Sequence, residues 1–284
     1  MSSAGILYLV STPIGNLGDL THRAVEVLRA CDIILAEDTR RTRVLLEHYA
    51  VAFRDLRSFH KHNEAARCEE VCAALAAGRS VALVSDSGTP LISDPGLRLV
   101  RAAQAATERV VPIPGASAAL AALVACGLDP QPFTFFGFLP RSGPKRRELV
   151  AELRELRHTA VLFEAPQRLA RTLVEFAGEL GENRTAVVAR ELTKLHEEFR
   201  SGTLGELAAY YQEHVPKGEV VLCLEAASAI PAGLPEADAL VVARRMTQEG
   251  ASSKEIVRVL REECGLERNR AYAIALQAAE GKLA

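Results

Sequence analysis

At 284 residues the chain is long for one compact domain and comfortable for two. Hydrophobic residues at 49% and charged residues at 25% give a globular balance, which excludes collagen-like, mucin-like and disordered classes. A formal net charge of -2 excludes a wholly basic nucleic-acid binder but leaves room for a local basic face, while aromatics at 5% with no Trp argue against binding single strands chiefly by stacking.

The apolar run ILYLVS (6–11) predicts a buried strand. A helical stripe follows over 21–32, with Ala24, Val25, Val27, Leu28 and Cys31 on one face. IILAED (33–38) predicts a second strand, and residues 63–78 a helix ending at Gly78. VALVSD (81–86) predicts a third strand, 96–106 another helix and VVPIPG (110–115) a fourth strand. Strands alternating with helices in this rhythm predict a parallel α/β domain over 1–115.

Beyond residue 116 the rhythm changes. ASAALAALVACGL predicts a helix, FTFFGFLP (133–140) a strand, and RSGPKRRELVAELRELR a basic loop leading into a helix. Strands at 159–165, 185–193 and 219–227, with helices near 168–180 and 204–214, make a second, mixed α/β domain over 116–230. The stretch 227–238 is rich in Ala, Pro and Gly and reads as a linker. A helical extension over 231–284 holds three helices, the middle one capped by Ser252 or Ser253 with Glu255 at capping-box distance.

The cysteines contain no CxxC, and Cys68 and Cys72 share a helical face, so free thiols in a reducing cytosol and no metal are expected. The N-terminus has no basic region before its short apolar run, and no stretch nears the ~20 apolar residues of a spanning helix. A cytoplasmic protein without a membrane anchor is the expectation.

The chemistry concentrates in three loops that leave strands of the first sheet. STPIGNLGDLT (11–21) brings backbone close to the strand's end. The loop of VALVSDSGTPLISDPG (81–96) carries Asp86 and Asp94, carboxylates suited to accept hydrogen bonds from a ligand, although Asp94 could instead cap the helix that follows. In PIPGASAAL (112–120) Gly115, Ala116, Ser117 and Ala118 leave the backbone open to approach. In open α/β sheets ligands sit at the strands' carboxyl ends, so the loops converge on one crevice. Neither GxGxxG nor GxxxxGK[ST] occurs, which removes the main support for dinucleotide and P-loop sites.

The strings STPIGNLGDLTHRAVEVLRACDIILAEDTR, VALVSDSGTPLISDPG, PGASAALAAL, TAVLFEAPQRL, ARELTKLHEEFRSGTL and KGEVVLCLE occur in this order over about 5–228. Together they closely resemble the tetrapyrrole-methylase-like (class III) S-adenosylmethionine methyltransferases. Within that family the resemblance is to the branch that methylates the ribose 2′-hydroxyl of a cytidine in small-subunit (16S) ribosomal RNA. It implies two α/β domains with the cofactor, S-adenosylmethionine, in the cleft between them, and a homodimer. Carried over by motif, Pro13 and Gly15 form one cofactor wall, Asp86, Ser87, Gly88 and Thr89 hold the amino-acid or ribose part, and Ser117 and Ala118 add contacts. Phe163, Glu164, Gly218 and Glu219 close on the adenine side. Gln167 stands where the family often has His, which puts an essential acid–base role there in doubt, and Ser87 replaces a common Ala.

Methyl transfer to a hydroxyl needs in-line alignment, which can supply up to ~7–11 kcal/mol, and a base for the proton. ARELTKLHEE (189–198) offers Glu191 and Lys194 as candidate catalytic groups, with Arg190 behind them as a phosphate or structural partner. Lysine could orient the ribose, or act as base if desolvation lowered its pKa. For RNA contact, Arg40, Arg41 and Arg43 open a basic stretch over 40–67, and Arg141, Lys145, Arg146 and Arg147 form a second without acid. Two alternatives remain at this level: a methylase of a small tetrapyrrole, and a non-catalytic ribosome-binding factor on the same fold.

Overall fold

The computed structural model describes residues 5–227, 236–262, 266 and 268–280. Most of the linker-like stretch, the expected 230/231 boundary and Cys264 lie outside them. The chain divides into two compact units, Met1–Glu225 and Ala226–Ala284. Among the described residues no helix is long and apolar enough to cross a membrane.

The first unit begins with β1 (Ile6–Val10), α1 (His22–Ala30), β2 (Ile33–Ala36), α2 (Thr39–His48), β3 (Leu56–Ser58), α3 (Glu64–Ala76), β4 (Ser80–Val84), α4 (Leu97–Ala105) and β5 (Arg109–Ile113). The strands form one parallel sheet in the order β3-β2-β4-β1-β5. Side chains alternate across it. Ile33 and Leu35 enter one core with Leu7, Val81, Leu83 and Leu99, and Ile34 and Ala36 enter the other with Val10, Ala82, Val84 and Leu28. A sheet covered on both faces needs strands with no polar side, which is why these runs are continuously apolar.

The same unit continues with α5 (Ala118–Ala125), β6 (Phe133–Phe138), α6 (Pro144–Glu155), β7 (Thr159–Glu164), α7 (Pro166–Leu180), β8 (Thr185–Arg190), β9 (Glu198–Thr203), α8 (Leu204–Glu213) and β10 (Val220–Leu224). This second sheet has the order β6-β7-β10-β8-β9, with β6 parallel to β7 and the other pairs antiparallel. One of its faces packs Leu162, Val188 and Leu222 against Leu169, Leu173 and Phe176 of α7, whose buried positions recur at helical spacing. The other face packs Val161, Val187 and Val221 against Ala119, Ala122 and Leu123 of α5 and against Ile14 of the first loop. That contact joins the two sheets.

The second unit holds α9 (Glu236–Gln248), α10 (Ser253–Glu262) and α11 (Arg268–Glu280), whose Ala239, Ala243, Ile256, Leu260, Ala271 and Ile274 form its core. Ser252 caps α10: its Oγ accepts from Glu255 N at 3.3 Å, and the Glu255 carboxylate accepts from Ser252 N at 2.9 Å.

Candidate active site

β4, β1 and β5 are neighbours in one parallel sheet, so the loops that follow them emerge side by side at the same edge. They are bonded to one another. Thr12 and Gly88 exchange backbone hydrogen bonds, Thr12 N to Gly88 O at 2.9 Å and Gly88 N to Thr12 O at 3.1 Å. Thr12 Oγ1 donates to Ser85 O at 2.9 Å, and Thr89 Oγ1 donates to Ala116 O at 3.2 Å. Gly88 has φ +83°, and a Cβ there would stand 3.3 Å from Ile14 and 3.6 Å from Ala116 O, so glycine is what lets the loops close.

The second sheet brings its own edge to this place by register. β10 runs antiparallel to β7 and β8 and pairs Val220 with both Glu164 and Arg190. The residues just before β10, Gly218 and Glu219, therefore lie beside the ends of β7 and β8. The ring of Phe163 packs edge-on against Phe138 with centroids 5.3 Å apart.

Between the two sets of loops is a cavity of about 410 Å³. Asp86, Ser87, Gly88, Thr89, Ser117 and Ala118 line it from the first sheet, and Phe163, Glu164, Gly218 and Glu219 from the second. Pro13 and Gly15 do not line it; Ile14 between them does. Gly15 faces elsewhere, since a Cβ on it would lie 2.5 Å from Lys194 Cγ and 2.9 Å from Thr193 Oγ1. Ile92, Phe138, Leu192, Val220 and Val221 add apolar wall that the motifs did not single out. Their signal is only their place next to a motif residue on a strand end.

The lining is acidic. It contains Asp86, Asp94, Glu164 and Glu219 and, among the described residues, neither Lys nor Arg. Asp86 Oδ1 accepts from Asp38 N at 2.9 Å, which ties the cavity to the start of α2. Burial pushes the Asp86 carboxyl above its ordinary value, against the opposing effects of that hydrogen bond and of Arg41. Asp94 also lines the cavity, but it caps no helix: α4 begins after Gly96 without a side-chain cap, and Asp94 Oδ2 accepts from Ser85 Oγ. Glu164 is buried and accepts from Thr172 Oγ1 at 2.7 Å, with Arg168 paired to it.

The expected catalytic groups sit at the rim, outside the lining. Glu191 and Thr193 both have positive φ, +51° and +66°, in a tight turn after β8. Lys194 Nζ donates to Glu191 Oε1 at 2.7 Å and to Glu219 Oε2 at 3.1 Å, and Glu219 N donates to Glu191 Oε1 at 3.0 Å. Desolvation alone would lower the Lys194 pKa, but the hydrogen bonds to the two glutamates outweigh it and hold the group above its ordinary value. The bond from Lys194 keeps the Glu191 carboxyl below its own. The lowered pKa that a lysine base would need is thus opposed here by the two glutamates. Arg190 is paired with Glu198 at 2.9 Å across β8 and β9, a structural clamp.

Of the basic residues, Arg41 and Arg43 are exposed on α2, and the Arg40 guanidinium bonds Asp38, whose carboxyl is brought down to about 2 first by that side-chain hydrogen bond. Arg141, Lys145 and Arg147 are exposed. Arg146 is not: its guanidinium is buried and donates to Glu175 Oε2, Pro140 O and Thr172 Oγ1 at 2.7–2.9 Å. It braces α6 to α7 and offers nothing to a phosphate, which corrects that assignment.

A crevice at the carboxyl edge of a parallel sheet, roofed by a mixed sheet and lined by carboxylates, defines a cofactor-binding α/β enzyme. The chain belongs to the family described as Tetrapyrrole (Corrin/Porphyrin) Methylases, which matches residues 6–208. Within it the chain is 46% identical to the ribosomal RNA small subunit methyltransferase I of Synechocystis sp. over 96% of this chain and 98% of that one. It is 43% identical to the protein of the same name from Escherichia coli O157:H7, over 97% and 96%. Among solved structures, diphthine synthase superposes with a TM-score of 0.62 at 15% identity, covering 78% of this chain and 90% of that one. A uroporphyrin-III-C-methyltransferase from Thermus thermophilus gives 0.56 at 21%, covering 78% and 94%. These two likenesses carry the fold alone.

Proposed function

We propose that the chain methylates the ribose 2′-hydroxyl of a cytidine in small-subunit (16S) ribosomal RNA, with S-adenosylmethionine as methyl donor. The observation that carries this is a carboxylate-lined cavity, with neither Lys nor Arg among its described lining residues, in a chain whose relatives over almost its whole length are ribosomal RNA small subunit methyltransferases. A sulfonium cofactor is a cation, and an acidic lining with apolar walls and a glycine at the closest approach suits it. When bound, the cofactor supplies an activated methyl group. Asp86, Thr89 and Ser117 provide polar contacts, Gly88 and Ala118 leave room for close approach, and Phe163, Glu164, Gly218 and Glu219 close the other side.

Lys194 orients the incoming ribose or its phosphate as a cation, and Glu191 fixes Lys194. A carboxylate below its ordinary pKa is a weak base, so alignment carries most of the rate. Displacement at a sulfonium calls for no metal. The two sheets serve as two domains, 1–115 and 116–230. Arg40, Arg41 and Arg43 on one side and Arg141, Lys145 and Arg147 on the other give the RNA its basic surface. Leu120 and Val124 on α5, 51% and 77% exposed, supply an apolar face for a homodimer. The setting is the cytoplasm, where ribosomal subunits are found.

Radiolabelled methyl transfer to small ribosomal subunits from a strain lacking the gene tests the reading. Label is expected in 2′-O-methylcytidine of the RNA. Absence of label there, with transfer to a tetrapyrrole instead, would replace it with the small-molecule reading.

A further inference from the structure

We propose that the hollow between α6 and α7 is a socket for a backbone phosphate of the substrate strand, with Arg171 as a recognition residue. The proposal rests on the RNA reading above. The hollow measures about 370 Å³ and is lined by Arg141, Arg147 and Arg171 with Gly143, Arg146 and Glu175. Arg171 comes from a different part of the sequence, on α7, and belongs to neither basic run.

The charges there are uncompensated. Among the described residues Glu175 is the one acid in the lining, and Arg146 holds it at 2.7 Å. Arg141, Arg147 and Arg171 are exposed, and among the described residues none makes an ion pair. α6 opens at this hollow with Gly143 and Pro144 and no side-chain cap, so its positive end adds to the same field. Guanidinium groups around a concavity match the bidentate geometry of phosphate better than they match a flat acidic surface.

The socket is tied to the cavity by two routes. β6 leaves the cavity wall at Phe138, and Arg141 follows three residues later, at most about 11 Å along the chain. α7 starts on the wall at Pro166, and Arg171 lies five residues on, about 7.5 Å of helical rise. Phosphates recur every ~3.4 Å along a stacked strand, so the socket is within about three nucleotides of a ribose in the cavity. The distance is held. Buried Glu164, in the cavity wall, is paired with Arg168 and bonded by Thr172, and Arg146 spans from Thr172 to Glu175 in the socket.

The test uses Arg171→Ala and Arg171→Lys in the full-length protein, with Arg101→Ala on α4 as control. Substrates are small ribosomal subunits from a strain lacking the gene and the RNA extracted from them. For Arg171→Ala, KM for subunits is expected to rise about tenfold with kcat within about twofold, and the slope of log KM against log salt to fall by about one. Arg171→Lys keeps the slope and recovers part of KM. Calorimetry should give unchanged cofactor affinity. Wild-type KM and slope in Arg171→Ala would overturn the socket while leaving the methyltransferase reading intact. So would a defect seen with subunits and absent with extracted RNA, which would assign Arg171 to a protein contact. A wild-type enzyme that methylates neither substrate would overturn the RNA reading and the socket with it.

Discussion

Glu191 and Gly218 occupy what is nearly the same space: a Cβ on Gly218 would stand 2.1 Å from Glu191 Oε1. Gly218 also has φ +87°, a conformation that side chains rarely adopt. The carboxylate fills the room left by the missing side chain and from there binds Lys194 and the backbone of Glu219. Gly218→Ala should displace it and weaken cofactor affinity at least tenfold by calorimetry. Adding Glu191→Ala should recover part of the loss. A double variant no better than the single one would put the whole effect on backbone strain.

Asp86 faces both the cavity and the first turn of α2. Asp86→Asn keeps an acceptor for Asp38 N but removes the charge, so it should lose cofactor affinity by about tenfold or more while remaining folded. The pH dependence follows from the raised pKa. A carboxyl that holds its proton more tightly when folded costs stability as pH rises through its unfolded and then its folded value. Asp86→Asn should thus melt above wild type at neutral pH, with the gap closing on acidification below the ordinary carboxylate range. Wild-type cofactor affinity should fall on acidification earlier than an ordinary carboxylate would dictate, and Asp86→Asn should flatten that limb. A melting gap independent of pH would show that Asp86 is not the titrating group.

Lys194 is expected to matter as a charge. Lys194→Ala should cut turnover by about a hundredfold, with cofactor and subunit affinity changed far less. A lysine base would make the wild-type rate climb tenfold per pH unit below its pKa. An ammonium does not, and a pH–rate profile with no such climb up to about pH 9 is the expected result.

Arg146 and Arg147 are adjacent in sequence and opposite in consequence. Removing the buried Arg146 guanidinium takes away the ion-pair partner of Glu175 and the hydrogen bonds to Thr172 Oγ1 and Pro140 O, and breaking such a pair costs about 3–5 kcal/mol. Urea unfolding should register that loss for Arg146→Ala and almost none for Arg147→Ala. Arg146→Lys should rescue little, since one ammonium cannot make all of these bonds.

The contrast also shows what a sequence conceals. The fully apolar strands β2 and β10 and the amphipathic α7 are legible, because burial on both faces, or on one helical stripe, leaves a periodic trace. α2 is hidden by its arginines: Thr42, Leu45 and Leu46 alone make its buried face, too short a stripe to outweigh the charge pattern. β9, EFRSGT, is a half-buried edge strand with no apolar run to announce it. The meeting of three strand-end loops follows from the parallel rhythm, but the contact of Gly15 with Lys194 does not, because 178 residues and the order of both sheets stand between them. Likewise, nothing in RSGPKRR says that its second arginine, Arg146, turns inward.

β10 is the last strand of its sheet in the chain and lies in the middle of it, between β7 and β8. A ribosome making this protein therefore releases the parallel sheet first, then two half-sheets, β6-β7 and β8-β9, that have no direct bond to each other. Until residues 220–224 emerge, β7 and β8 each expose an unpaired inner edge, the kind of surface that recruits foreign strands. The same short segment carries Gly218 and Glu219 into place just ahead of it, so the wall of the cavity and the repair of both edges arrive together. Nascent chains halted before Val220 should be held by chaperones and should not bind cofactor, however complete their first sheet.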